Sequence, residues 1–174
     1  MTEDTIHSRP IWQAVHSRVG AGWCAGRRLV LVDVENIAGG AVVTGAQARE
    51  ARNLLEQALP ARAGDQVVLG VSHASALESG LAWGASARLV VRSGENGADL
   101  ALLQVLEEER VADRFEEVVV VSGDGIFTNA VSALGAAEVD VTVVAHGRGC
   151  AKRLRFAARR IVYLQRALVL GGVA

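Results

Sequence analysis

VVVVSGDGIFTNAV, residues 118–131, sets four valines against Ser-Gly-Asp-Gly and a second apolar run. A β-branched run this continuous suits a strand buried on both faces, as inside a parallel sheet. Ser122, Gly123 and Asp124 end the strand. Asp124 is placed to cap the helix read from Ile126 to Ala136, which closes near Gly135. Strand, acid and helix follow without a gap, so Asp124 is either a turn residue or part of a site.

The same rhythm extends in both directions. RLVLVDV (Arg28 to Val34) reads as the first strand. Thr44 caps the helix GAQAREARNLLEQAL, which stops at Pro60. DQVVLGVS (Asp65 to Ser72) is a second strand, SALESGLAW a short helix ended by Gly84, and ARLVVRS (Ala87 to Ser93) a third strand. Apolar residues at helical spacing predict one long helix from Gly97 to Phe115. After the valine strand come a fifth strand in VDVTVVAHG, a basic helix in CAKRLRFAARR and a short closing strand in IVYLQ. Alternating strands and helices predict an α/β fold, a three-layer α/β/α sandwich on a mostly parallel sheet of about five strands. Residues 1–28 read as an N-terminal extension with a short helix over Ile11–Val19 and a loop, 29–166 as the domain, and 167–174 as a C-terminal tail.

Composition agrees. Hydrophobic residues make up 51% and aromatics 4%, so the core is built from Val, Leu and Ala. The formal net charge of -1 does not mark the whole chain as a polyanion binder. Its distribution does single out the end, since Val141 to Ala174 holds no Asp or Glu but Arg148, Lys152, Arg153, Arg155, Arg159, Arg160 and Arg166. Cys24 and Cys150 are too few for a disulfide framework. With no signal-peptide pattern and no membrane-length apolar run, the expected setting is cytoplasmic.

Right-handed crossovers gather the carboxyl ends of parallel strands on one edge, where ligands bind. Asp33 ends the first strand, with Glu35 and Asn36 just beyond. Asp99 falls in the first turn of the helix after the third strand, and Asp124 ends the fourth. Singly, each has a local explanation: a turn, a helix-dipole partner, a cap. Together they predict a carboxylate cluster, which is costly unless a cation sits among the acids. Mg²⁺ and Mn²⁺ favour oxygen ligands, and the chemistry implied is metal-assisted phosphodiester hydrolysis. Glu35 is an accessory acid candidate; Glu95 reads as a solvated loop residue. His73 and His146 fall on the same edge, where a loop or cap role is the favoured reading over a place in the site.

LVDVEN, GADLAL and VVSGDG-Ile-Phe, in that order, resemble the NYN domain, a branch of the PIN-like ribonucleases. The resemblance covers Leu29 to Leu164. It implies a compact α/β/α sandwich, a Mg²⁺- or Mn²⁺-dependent endoribonuclease, and Asp33, Asp99 and Asp124 as catalytic, metal-binding acids. It further implies that Asn36 orders the site or touches substrate, and that Ser122 orients a ligand or a phosphate. Two positions depart from the family pattern. Ile126 stands where a second acid is common, and Asn96 where a lysine is.

The expected partner is RNA, single-stranded or structured; a membrane is not expected, and a homo-oligomer is left open. Arg148, Lys152, Arg153 and Arg155 are the candidates for holding its backbone, with a solvated helix face as the plain alternative. A PIN-like module that binds RNA or protein without cleaving is the second functional reading. A HAD-type phosphatase fits less well, because Glu35 replaces its second Asp and the sole lysine, Lys152, follows Asp124. No phosphate-binding glycine motif occurs. Cys150 lacks the Arg six residues on that a Cys-based phosphatase needs, since Phe156 stands there.

Overall fold

The computed structural model describes residues 26–165. The helix expected over Ile11–Val19 and the tail from residue 167 lie outside the described residues. Strands β1 (Arg28–Asp33), β2 (Gln66–Val71), β3 (Ala87–Val91), β4 (Glu117–Val121), β5 (Asp140–His146) and β6 (Arg160–Leu164) form a single sheet ordered β3-β2-β1-β4-β5-β6. All neighbouring pairs are parallel. IVYLQ is therefore a full edge strand, and the sheet exceeds the expected count by one.

Side-chain alternation along the inner strands feeds two cores. Leu29, Leu31, Val118 and Val120 join one cluster; Val30, Val32, Val119 and Val121 join the other. The second face carries α1 (Val34–Ala38), α2 (Gly45–Ala58) and α3 (His73–Trp83). The first carries α4 (Gly97–Glu108), α5 (Val111–Arg114), α6 (Thr128–Ala136) and α7 (Lys152–Ala157). The chain winds outward from β1 to β3, then returns past β1 to β4. The order reverses between β1 and β4, and the helices change face with it, as right-handed crossovers require.

Local chemistry fixes the ends. Thr44 and Gln47 form a reciprocal capping box on α2. Gly39, at φ 77°, closes α1 in the left-handed region. At the opposite edge, Arg28 is buried and holds Asp65 through two hydrogen bonds and the Pro60 carbonyl through a third.

Three local expectations are corrected. The long helix over Gly97–Phe115 is two helices, because Arg110 takes a left-handed conformation at φ 51° and interrupts the hydrogen-bond ladder. A one-turn helix, α1, follows β1 directly, nucleated by Asp33 as its cap. The basic helix ends at Ala157, so Arg160 opens β6, where it bonds Thr142 and Asp140. The basic helix expected through Arg160 therefore stops short of Arg159 and Arg160. No described helix is long and apolar enough to cross a membrane.

Candidate functional site

Asp33 lies at the reversal point, in the last position of β1. It pairs with Gly70 on β2, and Val32 pairs with Val121 on β4, which puts Ser122 beside Asp33 on the other side. By strand alternation Asp33 faces the α4 side of the sheet, with Leu29 and Leu31. It is 3% exposed. Its Oδ1 accepts from the Asn36 amide at 3.0 Å, and its Oδ2 from the Ser122 hydroxyl at 3.0 Å.

Asp99 reaches this point because of a glycine. The crossover from β3 to β4 must pass β2 and β1, so α4 lies across both strands. A Cβ on Gly70 would stand 2.6 Å from Leu102 Cγ and 2.8 Å from the Ala98 carbonyl oxygen. Gly70 thus lets the first turn of α4 descend onto the sheet and brings the Asp99 carboxyl to that of Asp33. Burial pushes the Asp33 carboxyl up to about 8, and the charge and hydrogen bond of Asp99 add to the rise. Burial also raises Asp99, with the charges of Asp124 and Glu35 contributing. With both carboxyls ionised no donor exists between them, and Asp99 Oδ1 is buried without a partner.

Asp124 stands beside this pair rather than inside it. Its carboxylate caps the 3₁₀ turn Gly125–Phe127, accepting from the Ile126 amide at 2.9 Å. Its own amide donates to Ser122 Oγ at 3.1 Å. One buried hydroxyl thereby ties Asp33 to the Asp124 turn. Asn36 does the same for the backbone, its Oδ1 accepting from the Gly123 amide at 3.1 Å. Both residues, named as candidates to touch substrate, make bonds that hold the acids in place, which is the ordering role also expected of Asn36. Glu35 is engaged as well: its Oε1 accepts from the Ser72 amide and the Ser75 hydroxyl, which fastens α1 to the start of α3. Glu95 is an exposed loop residue.

The histidines take structural positions. His73 Nδ1 lies 2.9 Å from Ser93 Oγ, joining the ends of β2 and β3. His146 Nε2 lies 3.0 Å from the Ile37 carbonyl oxygen, joining β5 to α1.

The basic residues form one flank. Arg148, Lys152, Arg153 and Arg155 are exposed, and none has an ion pair or side-chain hydrogen bond among the described residues. Arg153 lies over the acidic turn, since a Cβ on Gly125 would stand 2.9 Å from its Nε. Gly123 packs more closely still, on the Gly149 carbonyl, and its own carbonyl accepts from the Ala151 amide. These contacts press the start of α7 against the Asp124 turn.

The NYN domain family model matches residues 27–165. The chain belongs to the NYN domain family. An NYN domain is a PIN-like, nuclease-type domain, which agrees with the acids at the β1–β4 reversal. Among solved structures, this NYN domain is similar to a protein of unknown function from Vibrio parahaemolyticus. Identity is 20% and the TM-score 0.56, over 80% of this chain and 93% of the other, a likeness of fold. No curated protein matches the chain.

The donor chemistry at the reversal suits a hard divalent cation in part. The groups are all carboxylate oxygens, and the unpartnered Asp99 Oδ1 is a buried acceptor that a cation would satisfy. Among the described residues, however, no group of three or more His, Cys, Asp or Glu side chains is gathered closely enough to hold a metal ion. The three predicted acids share one edge as a facing pair and a neighbour, not as a closed ligand set. Mg²⁺ accepts such a set, because it commonly binds through one or two carboxylates and keeps its waters.

Sequence reasoning missed Gly70 and α1. Gly70 did leave a signal, a glycine inside an apolar strand, which marks close approach of another backbone.

Proposed function

We propose that this NYN domain is a divalent-metal-dependent endoribonuclease that hydrolyses RNA phosphodiester bonds. One observation carries the reading: the buried carboxyl of Asp33 and the half-buried carboxyl of Asp99 face each other where the strand order reverses. Such a pair costs folding free energy and persists where a cation or a shared proton offsets it. Asp33 and Asp99 would hold Mg²⁺ or Mn²⁺, with Asp124 beside them. The ion, when bound, lowers the pKa of a water and stabilises charge on a phosphoryl oxygen.

The chain's own residues prepare that chemistry. Ser122 and the Asn36 amide fix the Asp33 carboxyl in one orientation. The Ile126 amide fixes Asp124. Arg153, with Arg148, Lys152 and Arg155 beyond it, offers unpaired cations to an RNA backbone arriving from the β5–α7 side.

A second reading is an RNA- or protein-binding module without cleavage. It is favoured by Ile126 and by the lack of a gathered three-acid group. Cleavage of a labelled RNA in Mn²⁺, Mg²⁺ or EDTA, with wild type, Asp33→Asn and Asp124→Asn, separates the two. The nuclease reading expects metal-dependent cleavage. It also expects losses in Asp33→Asn beyond the roughly 10–100-fold typical of residues that only support a ligand. Cleavage that persists in EDTA or in both variants refutes it. Binding without cleavage by the wild type selects the module.

A further inference from the structure

Five aromatic residues fall within the described chain, and they divide sharply. Trp83, Phe115 and Phe127 are buried, whereas Phe156 is 77% exposed and Tyr163 40% exposed. Both exposed rings stand at the α7–β6 end of the sheet, beside the unpaired cations. In a protein so poor in aromatics, two solvent-facing rings in one basic region need a reason.

The register places Tyr163. Asp33 neighbours Ser122, Val121 pairs with Val144 so that Ser122 neighbours Ala145, and Ala145 pairs with Tyr163. Ala145 belongs to the core on the α4–α7 face, as does the Asp33 side of β1. Tyr163 therefore shares both row and face with Asp33, three strands away, about 14 Å at ordinary strand spacing. A Cβ on Gly147, next to Arg148, would stand 3.8 Å from the Tyr163 ring.

Helix geometry places Phe156. Leu154 is the buried anchor of α7. Two residues on, Phe156 points to the opposite, solvent side, in line with Lys152 one turn earlier and flanked by Arg153 and Arg155. Aromatic rings among unpaired cations, with no Asp or Glu beyond Asp140, complement single-stranded nucleic acid: rings stack on bases and cations follow phosphates. Duplex RNA, with its bases already stacked, gains little from such rings.

We propose that Phe156 and Tyr163, with Lys152, Arg153 and Arg148, form a base-stacking platform that leads single-stranded RNA across the β4–β6 edge to the Asp33–Asp99 pair. This deepens the nuclease reading and rests on it for RNA as the ligand.

The test is binding in EDTA, so that cleavage plays no part. A short uridine-rich RNA carrying 2-aminopurine is titrated with wild type, Phe156→Ala, Tyr163→Ala, Phe156→Trp and the distant surface control Leu77→Ala. Anisotropy reads affinity, and 2-aminopurine quenching reads stacking. Wild type and Leu77→Ala should bind alike and quench. Each alanine variant should lose about fivefold to a hundredfold in affinity and part of the quenching, while Phe156→Trp retains both. Duplex RNA should bind more weakly and respond little to the substitutions. Unchanged affinity and quenching in both alanine variants overturns the platform while leaving the nuclease reading in place. No RNA binding by the wild type overturns both. Wild-type self-association abolished by Phe156→Ala, with RNA binding intact, overturns the platform in favour of a protein interface.

Discussion

Asp33→Asn should make the metal-free protein more stable. The Asp33 carboxyl has an unperturbed pKa of 3.8 and rises to about 8 in the fold. At neutral pH the unfolded chain carries this group ionised, while the folded chain holds it protonated. The sign follows from proton counts: between those two values the folded state binds the extra proton, so stability falls as pH rises. Near pH 7 the gap corresponds to about 4 kcal/mol. Asparagine removes that cost, although the Ser122 hydroxyl must then accept where it donated, so a net gain of about 2–4 kcal/mol is expected. For a domain of this size the midpoint of thermal unfolding should rise by about 5–15 °C. Thermal unfolding in EDTA from about pH 5 to about pH 8 is the assay. Wild type should lose stability steadily over that span. The variant should lose less, its remaining slope coming from Asp99, which is raised by burial and neighbouring charge. The gap between the two should be small at the acid end and widest near pH 8. Saturating Mn²⁺ should stabilise the wild type and leave the variant nearly unchanged. A wild type whose stability is flat or rises over this range, or a variant no more stable near pH 8, refutes the buried-pair reasoning.

Two further substitutions probe the scaffold that builds the site. Arg28→Ala should cost about 3 kcal/mol in urea unfolding, because it takes the buried guanidinium from the part-buried Asp65 carboxylate and leaves that carboxylate the Arg62 amide; a loss near zero would mean that water replaces the guanidinium freely. Gly70→Ala should cost about 1–3 kcal/mol by pushing Leu102 and the Ala98 carbonyl off the sheet. It should also weaken Mn²⁺ binding, measured by calorimetry, because Asp99 travels with the same turn; a stability loss with metal affinity unchanged would show that Asp99 is not positioned this way.

Much of the fold was legible because parallel strands buried on both faces leave uninterrupted apolar runs. Val118–Val121 is the clearest case, and it is fully enclosed. The carboxyl-edge rule then located Asp33, Asp99 and Asp124 without any side-chain coordinates. What stayed hidden depended on contacts between distant segments. Nothing local to Asn36 or Ser122 says that one holds Gly123 and the other Asp33, since both bonds cross between β1 and β4. Likewise Glu35 looks like a spare acid in VDVEN until α3 arrives and occupies it. The break at Arg110 was invisible for another reason: Glu109-Arg110 carries good helix formers, and a single left-handed residue overrides them. Phe156 was read only for the arginine it displaces, yet its exposure gives the basic end its aromatic ring.

Ile126 brings these strands of reasoning together. Its amide holds Asp124, a role the backbone performs with any side chain except proline. Its side chain packs against the apolar cluster that contains Leu102, Phe127 and Leu154. An acid there would be desolvated against that cluster and would add a like charge beside Asp124, a cost that only another cation or proton could offset. The isoleucine removes that demand and leaves the electrostatic cost concentrated in the Asp33–Asp99 pair. On the proposed nuclease reading, a site built this way would have acids for one ion rather than for a bridged pair, and no second metal to steady a leaving oxygen. On that reading charge on the leaving side would come from elsewhere, and Arg153, over Gly125 beside Asp124 and free of any acidic partner among the described residues, is the cation proposed for it.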